Sequence, residues 1–243
     1  MHGGFGGSVL FLWLLMAKRV LRDYPGLCLC EQDLPKPLDF AAIFGRRAAV
    51  RIEIGCGGGT VLLHEARASA DCDFVGIEWA RRYYRQAVDR MGRWGMANVR
   101  IIRTDAASFT REYIPEESVS SFDIYFPDPW PKTRHHRRRF FCDVNVREML
   151  RCLVPQGRIQ FATDHADYFQ HGLRVVQGCG AVAEPAGFVT PAGAAEGELV
   201  GSNYERKYAR EHRAIYVLAV RKCNFRPHLE RPILSSAVLQ SVR

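Results

Sequence analysis

Ala48-Ala49-Val50-Arg51-Ile52-Glu53-Ile54 runs directly into Gly55-Cys56-Gly57-Gly58-Gly59, and a helix-forming stretch follows from Thr60 to Ser69. A buried strand, a glycine turn and a helix in that order make up the first half of a βαβ unit. The pattern then repeats. Strands are expected at 74–78, 99–103, 121–126, 158–163 and 214–221, with helices at 80–94, 137–150 and 168–177 between or beside them. The spacing predicts an α/β fold with a mostly parallel sheet. Residues 178–201, rich in Gly, Ala and Pro, read as loop.

The glycine turn is a nucleotide-binding signal, and a weak one by itself. Its details narrow it. A dinucleotide fingerprint needs glycine at position 60, where Thr60 stands. The spacing here is ExGxGxG, with the Glu53 carboxylate at the end of the strand. A carboxylate there meets a pyrophosphate badly and a cationic cofactor well. S-adenosylmethionine, which carries a sulfonium and an ammonium, suits it. Gly55 and Gly57 would let such a ligand lie against bare backbone. Glu78 ends the next strand, where a carboxylate can accept from both ribose hydroxyls, and Asp105 follows the third, within reach of an adenine amino group.

Phe126-Pro127-Asp128-Pro129-Trp130-Pro131-Lys132 closes the fourth strand, and three of its residues are proline. Proline fixes φ and removes an amide donor, so the loop is stiff, as a site aligning reactive atoms requires. Asp128 and Lys132 are the polar groups it displays. Thr133-Arg134-His135-His136-Arg137-Arg138-Arg139 comes next, with five cations between Lys132 and Arg139. Cations are unfavourable at the start of a helix, so a phosphate partner would resolve a local conflict. The formal net charge of +8 agrees with a polyanionic partner.

EIGCGGG, GIEW, FPDPWPKTRHHRRR and TDH, in this order, resemble the bacterial tRNA (guanine-N7)-methyltransferase family. The resemblance implies a class I methyltransferase fold, a Rossmann-like, mostly parallel seven-stranded sheet flanked by helices. It implies methylation of the variable-loop guanosine at tRNA position 46. Glu53, Glu78, Asp105 and Asp128 match the family's cofactor-contacting acids, and Asp128 also matches the proposed catalytic carboxylate. Lys132 and Asp164 match substrate-binding positions, and Arg134, His135, His136, Arg137, Arg138 and Arg139 match the RNA-contacting stretch. Ser202-Asn203-Tyr204-Glu205 resembles the family's late TxYE-like motif, with serine in place of threonine.

Three rivals stay open at this point. One is a methyltransferase of the same fold acting on another RNA or a small substrate. A dehydrogenase is the second, opposed by Thr60. The third is a non-catalytic RNA-binding partner subunit, opposed by the intact set of acids and glycines. The domain is expected over 40–225, between an extension at 1–39 and a tail at 226–243. Val9 to Ala17 is apolar but too short to span a bilayer, and it reads as a short buried helix. The eight cysteines include no CxxC pair, so neither zinc nor a disulfide framework is expected. The expected protein is cytoplasmic, metal-free, without membrane contact, and a monomer or homodimer.

Overall fold

Alternation of side chains along the strands builds the fold, because neighbouring strand residues feed two different apolar layers. In the computed structural model, which describes residues 20–179, 181–185 and 214–222, Phe74 packs in one core and Val75 in the other. Ile101 and Ile102 divide in the same way.

The strands are β1 (Cys28–Leu29), β2 (Ala49–Ile54), β3 (Cys72–Ile77), β4 (Val99–Ile102), β5 (Val119–Tyr125), β6 (Leu153–Thr163), β7 (Val182–Pro185) and β8 (Tyr216–Arg221). They form one sheet in the order β1-β4-β3-β2-β5-β6-β8-β7. Every pairing from β1 to β6 is parallel, and β8 runs antiparallel to β6 and β7. The helices are α1 (Phe40–Phe44), α2 (Thr60–Ala68), α3 (Arg81–Arg93), α4 (Ala106–Tyr113), α5 (Asp143–Cys152) and α6 (Ala166–Gly178). Leu62, Leu63 and Ala66 of α2 join Ala87, Val88 and Met91 of α3 in one core. Phe109 of α4, Val146 and Met149 of α5 and Tyr168 of α6 enter the other.

The mostly parallel α/β sheet agrees with expectation, with eight strands among the described residues where seven were expected. The eighth is β1, a two-residue strand from the N-terminal stretch that pairs with β4 at the sheet edge. Two other local expectations are corrected. The segment expected to be all loop contains β7, whose four residues give too short a run to stand out from its Gly-, Ala- and Pro-rich surroundings. A helix was expected from Arg137, but residues Thr133–Arg138 form a 3-10 turn and α5 begins at Asp143. Buried Arg139 and Phe141 pin the intervening chain, and Arg139 takes an extended backbone (φ −61°, ψ 126°) that no α-helix can pass through.

Pro155 and Gly157 lie inside β6, where the register with β5 shifts between Val119 and Ser121. A bulge is the place a strand tolerates proline. The expected helix from Val9 to Ala17 lies outside the described residues.

Candidate active site

In open α/β sheets ligands bind beyond the carboxyl ends of the strands, at the point where strand order reverses. Here that point lies between β2 and β5, and a cavity of about 670 Å³ opens there, a size suited to a small-molecule ligand. It is walled by the ends of β2, β3 and β5 and by the loops that leave them and β4.

The glycine turn forms the floor. Gly55 and Gly57 take φ of 72° and 54°, a left-handed backbone that side chains resist. A Cβ built on either would meet no atom within 4 Å, so bare backbone faces open space. The Gly55 and Cys56 amides donate to the Ile77 carbonyl at 2.8 and 3.1 Å, tying the turn to the end of β3.

Glu78 is held by two backbone amides. One oxygen accepts from Gly57 N–H at 2.8 Å and the other from Ala80 N–H at 2.7 Å. A carboxylate has about four acceptor positions, so two remain for a ligand. Glu53 is buried (7% exposed) and lines the same cavity. Desolvation holds its carboxyl well above the usual range, and the nearby carboxylates of Asp123, Glu65 and Glu78 add to the shift while Arg51 opposes it. Arg51 is already committed to Glu65 at 2.6 Å and Asp123 at 3.1 Å. The floor of the cavity is therefore short of positive charge.

Asp105 caps α4, accepting from Ser108 N–H at 2.9 Å, and lines the cavity from an exposed position. Asp128 stands exposed on the proline loop between two strained residues, Phe126 (φ 52°) and Trp130 (φ 43°). Left-handed backbone at bulky side chains persists only where surrounding structure enforces it. Phe126 N–H donates to the Ala162 carbonyl at 2.8 Å, which anchors one end of the loop to β6.

Arg139 anchors the other end. Its side chain is fully buried, with Nε donating to the Pro129 carbonyl at 2.9 Å, Nη2 pairing with Asp167 at 2.5 Å and the guanidinium over the Tyr168 ring at 4.8 Å. Arg139, expected within the RNA-contacting stretch, is buried here and clamps the loop, without the solvent exposure by which its neighbours could meet a phosphate. Its neighbours divide. Arg134 and Arg137 are exposed, Arg138 lies over the Trp130 ring at 4.9 Å, and His135 meets the same ring edge-on at 5.9 Å. His136 turns toward Asp167, 3.7 Å away.

Lys132 is exposed at the start of the 3-10 turn, and Asp164 is half-buried at the end of β6; neither lines the cavity. Ser202, Asn203, Tyr204 and Glu205 lie outside the described residues. Trp79 and Tyr83 line the cavity without having been singled out from the sequence. The available signal was Trp79, an aromatic immediately after the acid of the second strand. Among the described residues no group of three or more His, Cys, Asp or Glu could hold a metal ion. Nor is any helix among them long and apolar enough to cross a membrane.

Residues 47–218 match the family model described as "Putative methyltransferase" (Methyltransf_4). The tRNA (guanine-N(7)-)-methyltransferase of Alkalilimnicola ehrlichii is 34% identical over 206 residues, which cover 82% of this chain and 83% of that protein. The chain belongs to the tRNA (guanine-N7)-methyltransferase family. A second family member, from Mycobacterium avium, is 41% identical over 142 residues, or 58% of this chain and 55% of the relative. The match thus spans about half that relative's length.

Solved structures place this family member on a known architecture. An antibiotic-related methyltransferase superposes with a TM-score of 0.53 at 16% identity, covering 74% of this chain and 90% of that one. Precorrin-6y C5,15-methyltransferase from Geobacter metallireducens superposes with 0.53 at 14% identity, covering 82% and 98%. At such identities the likeness shows the fold alone, that of class I methyltransferases.

Proposed function

We propose that this chain transfers a methyl group from S-adenosylmethionine to N7 of a guanosine in tRNA, at the variable-loop position the family resemblance implies. The observation that carries this is the 34% identity along 82% of the chain to a relative named for that activity. The site supports it. The Gly55–Gly57 cradle offers bare backbone to a nucleoside, Glu78 retains acceptor capacity for ribose hydroxyls, and Asp105 lines the same cavity. Glu53 presents a buried acid that a cationic group would satisfy.

Bound in this cavity, S-adenosylmethionine supplies an electrophilic methyl on a sulfonium. Guanine N7 carries a lone pair and no proton, so the protein needs no general base. Its tasks are alignment and placement of charge. The stiff Phe126–Trp130 turn holds Asp128 at the mouth of the cavity, where a carboxylate would meet the positive charge that grows on the purine. Arg134, Arg137 and Arg138 would take phosphates of the tRNA beside it. Lys132 and Asp164, on neighbouring loops, belong to the substrate side of this proposal, together with Ser202 to Glu205. A protein of this kind works where tRNA is processed, in the cytoplasm.

The direct test supplies labelled S-adenosylmethionine and unmodified tRNA, then maps the labelled nucleotide by borohydride reduction and aniline cleavage. Strand scission at the variable-loop guanosine is expected. Label at another atom or nucleotide would overturn the assignment.

Two further results are expected. Because the Glu53 carboxyl is held above its ordinary range, the folded, cofactor-free protein keeps a proton there that the unfolded chain has already released. Its stability contribution therefore falls as pH rises from the ordinary carboxylate range through the raised value. A cation seated against Glu53 reverses this by expelling the proton. Cofactor binding should release up to about one proton below the raised value, and affinity should increase with pH over that window. Calorimetry in two buffers of different ionisation heat reads the proton count, and Glu53→Gln should abolish it. Proton release undiminished in that variant would remove Glu53 from the cofactor site.

The second concerns the exposed arginines of the basic run. R134A/R137A/R138A should flatten the salt dependence of tRNA binding by roughly 0.7 to 0.9 log units per lost phosphate contact. An unchanged slope would return them to the role of a solvated surface.

A further inference from the structure

The candidate cavity has two lips, and each sets arginine beside aromatic rings. On one, Arg138 and Trp130 both line the cavity, with the cation 4.9 Å from the ring centroid. The other lies where β3 passes into α3. There Trp79 and Tyr83 line the cavity while remaining 69% and 44% exposed, and Arg82 sits 6.0 Å from the Tyr83 ring. Two large aromatic side chains exposed at the mouth of one cavity offer stacking faces to a planar partner.

The arginines of α3 divide into two groups. Arg90 donates to the Thr60 hydroxyl and Arg93 pairs with Asp89 at 2.5 Å, so both serve the fold. Arg81, Arg82 and Arg85 are exposed and form neither an ion pair nor a hydrogen bond with any described residue. No acid sits in the first turn of α3 to balance them. Arg81 and Arg85 join the exposed Arg103 around a neighbouring hollow of about 920 Å³. Asp23 and Glu31 also line that hollow, and Glu31 is engaged by the Thr104 hydroxyl at 2.5 Å. Like charges crowded at the positive end of a helix repel one another and the helix dipole, and a polyanion removes the conflict.

We infer that this α3 lip is a second RNA-docking surface, with Arg81, Arg82 and Arg85 on phosphates and Trp79 and Tyr83 stacking an unpaired base beside the cavity. It rests on the tRNA reading of the site and extends it: the RNA is gripped from both sides of the cavity. Phosphate contacts give affinity that salt weakens, and the rings take a base that has left its own stack.

The test compares tRNA affinity of the wild type and of R81Q/R82Q/R85Q across salt concentrations, with S-adenosylmethionine affinity measured in parallel. The triple variant should lose about two from its log–log salt slope and bind tRNA about a hundredfold more weakly at 0.1 M salt. Its cofactor affinity should stay at the wild-type value, since none of the three lines the cofactor cavity. Without cofactor present, Tyr83→Ala should weaken binding of an unstructured RNA about tenfold. An unchanged slope in a triple variant that retains cofactor affinity would overturn the docking surface alone. A wild type that binds no tRNA would overturn it together with the proposed function.

Discussion

Asp128→Ala is expected to reduce the single-turnover rate of methyl transfer by at least about a hundredfold, the usual cost of removing one well-placed electrostatic group. S-adenosylmethionine affinity should fall much less. The expectation follows from where the carboxylate sits. It is exposed at the cavity mouth, makes no hydrogen bond or ion pair with any described residue, and rides on a loop stiffened at both ends. A side chain that does so little for the fold, on a turn strained at Phe126 and Trp130, has its work elsewhere. Asp128→Asn keeps the shape and removes the charge, and should be nearly as slow if charge on the purine is what matters. Asp128→Asn with near wild-type rates would limit the residue to hydrogen bonding. Equal losses in cofactor affinity and rate would assign Asp128 to binding alone.

Arg139→Ala should damage both stability and rate. The substitution removes a fully buried guanidinium with its bonds to Pro129 and Asp167 and its stacking on Tyr168, and leaves a hole behind the proline loop. Lost charged hydrogen bonds and an unfilled cavity together cost about 3 kcal/mol, a fall in melting temperature of roughly 6–12 °C for a chain of this size. Freed at Pro129, the loop should present Asp128 less well, so that rate falls even at temperatures where the variant is fully folded. The salt slope of tRNA binding should not change, because Arg139 meets no solvent. A flattened slope with unchanged melting would restore this arginine to the RNA-contacting set.

The readable features of the site were those that local chemistry controls. Glu53, Gly55, Gly57 and Glu78 stand at strand ends within short stretches, and the backbone of a βαβ unit brings such ends to one side of the sheet. Asp105 is legible as a ligand acid, and its position also announces the start of α4, a helix the periodicity does not reveal. Trp79 stands within GIEW, but a single aromatic in a sequence does not declare whether it faces a core or water. The three exposed arginines of α3 were hidden similarly, inside a helix whose basic composition says nothing of which cations have partners.

The amino-acid order alone determined the mostly parallel α/β sheet, the glycine cradle with its acids, and the stiffness of the proline loop. Each depends on φ preferences, strand periodicity or residues a few positions apart. Tertiary structure decided which cations of the basic run face water. Arg139 is buried because Asp167, 28 positions onward, and Tyr168 beside it meet it from α6. It also decided that Asp164 stands outside the cavity and that Trp79 and Tyr83 form its rim. Burial and partnership are set by packing between segments distant along the chain, and side-chain spacing within one segment carries no record of that packing.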